Sequence, residues 1–277
     1  MILETFPNHQ IIGEEESSSS STTTSSSAPP DLQRPTWIID PIDGTTNFMA
    51  GNPLCCISIG FVERGVSKVG VVISGLGELF VAVEGEGAYR NGVRVDAREE
   101  DVERTDMADR RGSQDFFDAG EREEDLEVDH LEVVPKKLRD CNVCVEFGYE
   151  RDAKSIDVMT GTVGKILKHG CRSIRMMGSG VLDLIFVALG RYDAVYCGVA
   201  GEGWKVWDYA AASVFVRESG CLISNWGEMD VVGGHSDSSD SSSFNMYGKT
   251  CVCCRSRSVQ EELVTILRDA AGNSRFP

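Results

Sequence analysis

The sequence predicts a layered α+β fold, on three observations. Apolar, β-rich runs at 57–62, 69–74 and 78–83 follow one another closely, as in an antiparallel meander. Past residue 150, helical patterns alternate with short strands. No apolar run approaches the roughly 20 residues that a membrane span requires.

The elements follow in chain order. Residues 1–10 lack the basic start and apolar core of a secretory signal. The apolar pair Ile11-Ile12 precedes Gly13-Glu14-Glu15. Residues 17–27 are eleven consecutive Ser or Thr, which bury too little apolar surface to offset ordering entropy, so a mobile loop is expected. The β-rich run from Trp37 ends in the carboxylates Asp40 and Asp43, with Pro41 stiffening the span. Asp43-Gly44 then turns the chain, and Thr45-Thr46-Asn47 opens a helix. Gly85-Glu86-Gly87 and Asn91-Gly92 supply tight turns after the meander. Residues 110–129 are acidic, irregular and poor in periodic apolar positions.

A helix over 155–169 carries Ile156, Met159, Val163, Ile166 and Leu167 as its apolar stripe. Another over 179–189 is capped by Ser179 and ends at Gly190. Strands are expected at 193–197 and 221–224, and helices at 207–219 and 259–271. Small residues at 210–212 let the first of these two helices pack closely on a sheet. Residues 236–243 form a second low-complexity loop of Ser and Asp.

Composition narrows the function. The 277 residues have a net charge of −17, and acids crowd between 96 and 132 as a solvated face or loop. Such a surface repels nucleic acid, and it repels anionic substrates unless bound metals reverse the sign locally. Ten cysteines lack zinc-ligand spacing. Cys251 and Cys254 fall on opposite faces of one strand-like run. Buried, reduced thiols suit a reducing compartment, and a cytoplasmic location is expected.

The chemistry concentrates at Trp37-Ile38-Ile39-Asp40-Pro41-Ile42-Asp43-Gly44-Thr45-Thr46-Asn47-Phe48. Asp-Pro and Asp-Gly also form ordinary turns, so the argument needs distant partners. Glu14 is one. Asp208, opening Trp207-Asp208-Tyr209-Ala210-Ala211-Ala212, is the other, although an acid at a helix start also serves the dipole. Carboxylates gather hard cations such as Mg²⁺, and a helix start binds phosphate.

In these strings, together with Ile12-Gly13-Glu14-Glu15 and Gly178-Ser179-Gly180-Val181-Leu182-Asp183, the chain resembles the inositol monophosphatase family over residues 4–270. Thr46-Asn47-Phe48 favours the inositol branch over related nucleotide or fructose phosphatases. The resemblance implies an αβαβα sugar-phosphatase-type fold, with a metal-binding half at about 4–140 and a substrate-side half at 141–270. It implies Mg²⁺-dependent, lithium-sensitive hydrolysis of a small phosphate monoester, with roles in inositol phosphate metabolism and phosphatidylinositol signalling. Glu14, Asp40 and the Ile42 carbonyl would hold one Mg²⁺. Asp40, Asp43 and Asp208 would hold a second, and a third, weaker ion would sit near Glu14. Glu14 and Thr45 would orient and deprotonate a metal-activated water. Asp43, Asp208 and the backbone of Gly44 and Thr45 would contact substrate.

Gly178-Ser179-Gly180 matches the family's turn that faces the inositol ring, though Ser179 equally reads as a helix cap. Glu202 matches a glutamate that accepts from ring hydroxyls. It stands one position nearer Asp208 than in the animal enzymes, and a solvated loop acid is the competing reading. His169 is expected at a helix end, and Trp37 and Trp207 as packing walls of the site.

One departure stands out. Family members carry a longer stretch ahead of Phe6-Pro7-Asn8-His9, enough for a first helix and most of a second. Ile2, Leu3 and Phe6 read as the remnant of the second helix's apolar face. The first helix layer is therefore expected to be missing, leaving an apolar face that favours aggregation or association, including as a homodimer. Three functional readings remain open: an active myo-inositol monophosphate phosphatase, a low-activity binding or regulatory relative, and a phosphatase for another sugar, polyol or histidinol phosphate.

Overall fold

The computed structural model describes residues 2–15, 34–97, 137–201, 203–227 and 244–272. The expected loops at 17–27 and 236–243, the irregular segment at 110–129 and Glu202 lie outside the described residues.

Residues 10–95 build a seven-stranded sheet in chain order. Its strands are β1 Gln10–Gly13, β2 Thr36–Asp43, β3 Cys56–Glu63, β4 Val66–Ser74, β5 Leu79–Val83, β6 Gly87–Arg90 and β7 Val93–Val95. β1 pairs parallel to β2, and the remaining pairs are antiparallel. Alternation is clean: Ile38, Val62, Val72 and Phe80 are buried on one face. The second sheet runs β11-β12-β10-β8-β9, from β8 Asn142–Val145, β9 Ser173–Arg175, β10 Ala194–Cys197, β11 Leu222–Ser224 and β12 Cys251–Cys254. Neither β8 nor β9 was expected from sequence.

Six helices are described: α1 Ile2–Thr5, α2 Thr45–Met49, α3 Ala153–His169, α4 Gly180–Ala188, α5 Val206–Glu218 and α6 Arg257–Gly272. α4 and α5 pack on one another between the sheets. Every residue of α4 is buried, as a helix with sheets or helices on all sides requires. α5 lies so close to the first sheet that a Cβ on Gly60 would sit 2.6 Å from Ala210 Cβ. One on Gly70 would sit 2.3 Å from the Ala211 carbonyl. Small residues on both partners are what this approach demands. α3 and α6 pair on the far face of the second sheet around Val158, Ile166, Leu263 and Leu267.

Among the described residues the layers therefore run sheet, helix pair, sheet, helix pair. On the outer face of the first sheet, Ile57, Ile73 and Leu79 are 46%, 50% and 40% exposed. Phe6 and His9, just after α1, stack there against Trp37 and Phe61.

All ten cysteines are free. Cys251 and Cys253 join the core between the sheets, and Cys254 the core beneath α3 and α6, so Cys251 and Cys254 do face opposite ways. Burial pushes all three thiols up. Helix boundaries differ from expectation mainly at caps: Asp152, not Ser155, opens α3, its carboxylate accepting from Ser155 N at 3.1 Å.

Candidate active site

The site starts from register. β1 pairs with β2 through Gly13↔Ile39, so Glu14, the next residue, arrives beside Asp40. In a regular strand Asp40 and Asp43, three apart, would point to opposite faces. Pairing with β3 shifts between them, from Asp40↔Ser58 to Asp43↔Cys56, so three steps on β2 match two on β3. This bulge turns both carboxylates to the buried side. The third acid, Asp208, rides on the first turn of α5, where its carboxylate accepts from Lys205 N at 2.6 Å. One carboxylate oxygen each from Asp40, Asp43 and Asp208 lies within 4.8 Å of the others. They open on a cleft of about 540 Å³ that Glu14, Ile42 and Thr45 also line.

Each acid is held. Asp40 Oδ1 accepts from Ile42 N at 3.0 Å, and the Glu14 carboxylate lies close enough to raise the same carboxyl. Thr45 Oγ1 donates to the Ile42 carbonyl at 3.1 Å. Asp43 Oδ2 accepts from Val181 N at 3.0 Å, from Cys56 Sγ at 3.6 Å and from the Ser179 hydroxyl. Gly44 has φ +80°, and a Cβ there would meet the Leu54 carbonyl at 2.9 Å and the Gly178 carbonyl at 3.1 Å. Only glycine makes this turn without strain.

The electrostatics are those of a cation site. Burial, then the neighbouring Asp43 and Glu14 carboxylates, push Asp40 up to about 8. Burial raises Asp43 against the hydrogen bonds from Ser179, Val181 and Cys56. Burial, then the Asp43 charge, holds Asp208 well above the carboxylate range. Left alone, such groups take up protons. A divalent cation reverses that sign. The donors are all hard oxygens on rigid elements, which fits Mg²⁺.

Of the other expected residues, Gly178, Ser179 and Gly180 all line the cleft. Ser179 caps α4 through Leu182 N at 3.3 Å and is 1% exposed, its hydroxyl turned to Asp43. Trp207 lines the cleft as expected. Trp37 does not wall it. Its ring joins the aromatic stack on the outer sheet face and donates to His9 at 3.0 Å, because an odd position in β2 points away from Asp40. His169 closes α3 and contacts Glu262 at 3.1 Å.

Sequence reasoning missed Glu146 and the part that Asn47 plays. Asn47 Nδ2 donates to the Leu54 and Met177 carbonyls, both at 2.7 Å, tying the first half to the second. Glu146 lines the cleft at the end of β8, an acid after an apolar strand as Asp40 is. That placement was its only signal.

The inositol monophosphatase family profile matches residues 1–270. The chain belongs to the inositol monophosphatase family. It is 34% identical over 221 residues to inositol monophosphatase from Mesembryanthemum crystallinum, covering 79% of this chain and 65% of that relative's length. The Thermotoga maritima IMPase structure has TM-score 0.63 at 24% identity, over 98% of this chain and 79% of the other. A dual specific IMPase/NADP phosphatase bound with D-inositol-1-phosphate has TM-score 0.62 at 19% identity, over 96% of this chain and 77% of the other. In this inositol monophosphatase family member, the acids of the family's strings converge on one cleft.

Proposed function

We propose that this chain hydrolyses a phosphate monoester with Mg²⁺, myo-inositol monophosphate fitting best, and is lithium-sensitive. The convergence of Asp40, Asp43 and Asp208 within 4.8 Å beside Glu14 carries the reading. Glu14, Asp40 and the Ile42 carbonyl would hold one ion, Asp40, Asp43 and Asp208 would hold a second, and Glu14 would border a third, weaker position. Mg²⁺ held there would supply Lewis-acid polarisation of the phosphoryl group and charge for the leaving alkoxide. Glu14 takes the proton of the attacking water, and Thr45 orients that water. Thr45 is itself oriented by its bond to the Ile42 carbonyl. The turn at Gly44 and Thr45 offers backbone N–H groups to the phosphate. Gly178, Ser179 and Gly180 shape the wall beside the alcohol, and Glu202 accepts from its hydroxyls.

Membership of a phosphatase family whose solved relatives include an IMPase/NADP phosphatase leaves other sugar, polyol or nucleotide phosphates as the second reading. The test is phosphate release from a panel of monoesters, including histidinol phosphate, with and without Mg²⁺. The expected result is Mg²⁺-dependent release, fastest from inositol monophosphate. Release independent of Mg²⁺, or none from any monoester, overturns the proposal.

A further inference from the structure

Behind the Met177–Gly178 turn lies a second cluster. One side-chain atom each of Cys144, Glu146 and Asp183 falls within 4.8 Å of the others. Cys144 Sγ donates to Asp183 Oδ1 at 3.0 Å. Glu146 Oε1 accepts from Met177 N at 2.6 Å and from Gly178 N at 2.7 Å. One carboxyl oxygen of Glu146 and one of Asp183 thus lie within 4.8 Å of each other, with no hydrogen-bond donor from elsewhere on Asp183 Oδ2. Asp183 is 0% exposed. Two carboxylates are both acceptors, so a bond between them needs a hydrogen on one of them. An unpaired, buried carboxylate oxygen would otherwise carry its full desolvation cost.

The environments differ. Burial raises Glu146, and two backbone N–H bonds, which favour its charged form, work against that rise. Asp183 sits in the all-buried helix α4, where burial and then the Glu146 charge raise it well above the carboxylate range. Of the two carboxyls, Asp183 is the one with a fully buried, unpaired oxygen, so a shared proton would sit on its Oδ2.

What Glu146 holds is the scaffold of the site. Gly178 has φ +84°, and its carbonyl packs against the Gly44 turn. The Met177 carbonyl accepts from Asn47. The next residue, Ser179, bonds to Asp43.

We propose that Asp183 and Glu146 share one proton as a carboxylic acid–carboxylate pair, and that this pair positions the 177–180 turn and, through it, Asp43 and Gly44. Both are positioning residues. The activity part rests on the phosphatase reading above, whereas the proton and the metal affinity do not.

Infrared difference spectra of the Mg²⁺-loaded protein at neutral pH test the proton. The wild type should show the C=O band of a buried carboxylic acid, and Asp183→Asn should lack it. Mg²⁺ affinity by calorimetry and kcat with inositol monophosphate test the positioning. Asp183→Asn replaces O–H by N–H and should stay near wild type in both. Asp183→Leu leaves Glu146 without its donor and should weaken Mg²⁺ affinity and kcat by about 10- to 100-fold, the usual cost of losing a partner behind a metal ligand. No carboxylic acid band in the wild type overturns the shared proton. Equal Mg²⁺ affinity in the Leu and Asn variants overturns the positioning role, and it does so even if no monoester is hydrolysed.

Discussion

Asp43 meets the cleft with one side of its carboxylate while Val181 N, Cys56 Sγ and the Ser179 hydroxyl hold the other. Asp43→Asn keeps an oxygen for those donors and removes the charge a cation needs. Its kcat should fall by on the order of 100-fold, with an unchanged circular dichroism spectrum. Near-normal turnover would remove Asp43 from the metal site. Asp40 gives a pH dependence. In the folded, metal-free protein it is raised to about 8, whereas unfolding returns it to the ordinary carboxylate range. Between those values the folded state binds the extra proton, so stability falls as pH rises through the window. Mg²⁺ bound at Asp40 as proposed would compete with that proton and should stabilise more at the upper end. Melting temperatures at about pH 5 and about pH 8, with and without Mg²⁺, check this. A Mg²⁺ increment that does not change with pH would contradict it.

Asp208 reaches the cleft only because α5 lies almost against β3 and β4. Gly70→Ala would push a methyl into the Ala211 carbonyl, at 2.3 Å. The helix must shift, at a cost of about 1–3 kcal/mol, and Asp208 shifts with it. Denaturant midpoint and kcat should fall together. Gly164→Ala, in α3 with nothing within 4 Å of the added Cβ, should leave kcat unchanged and gain up to about 1 kcal/mol. Loss in both variants alike would mean that the contact with α5 is not what matters. Much of this was legible in the sequence. Alternating or striped patterns marked the meander and the long helices, and the small residues at 210–212 anticipated the close approach. Glu14, Asp40, Asp43 and Asp208 were legible because each stands at the end of an apolar run or the start of a helix, within strings shared by a family. β8 and β9 were not, although β10 and β11, equally short, were: β8 is buried without alternation and β9 has one apolar residue, Ile174, between two polar ones. The bulge that aims Asp43 left no trace either, because it is a property of pairing with β3. Glu146 and Asp183 read separately as a strand-end acid and a first-turn acid, and only the packing of α4 behind β8 joins them.

For the whole molecule, the outer face of the first sheet sets behaviour in solution. Ile57, Ile73 and Leu79 form one row across β3, β4 and β5, since Ile57 pairs with Ile73 and Ile73 with Leu79. A contiguous apolar row open to water favours association. Sedimentation of the 277-residue chain should show concentration-dependent association. Ile57→Thr with Ile73→Thr, which keeps β-branching, should reduce it without changing kcat. Association of equal strength in the double variant would place the contact elsewhere. The division of the site between the two ends of the chain has a kinetic consequence. Asp40 and Asp43 belong to, and Glu14 directly follows, a sheet of mostly neighbouring strands, whose contacts form early. Asp208 joins them only when α5 docks, after most of the chain has been gathered. A cation that needs all of these ligands finds its full site in the finished molecule and gains little from the transition state before it. Mg²⁺ should therefore lengthen the lifetime of the folded protein and leave its refolding rate almost untouched, a chevron moved on one arm alone.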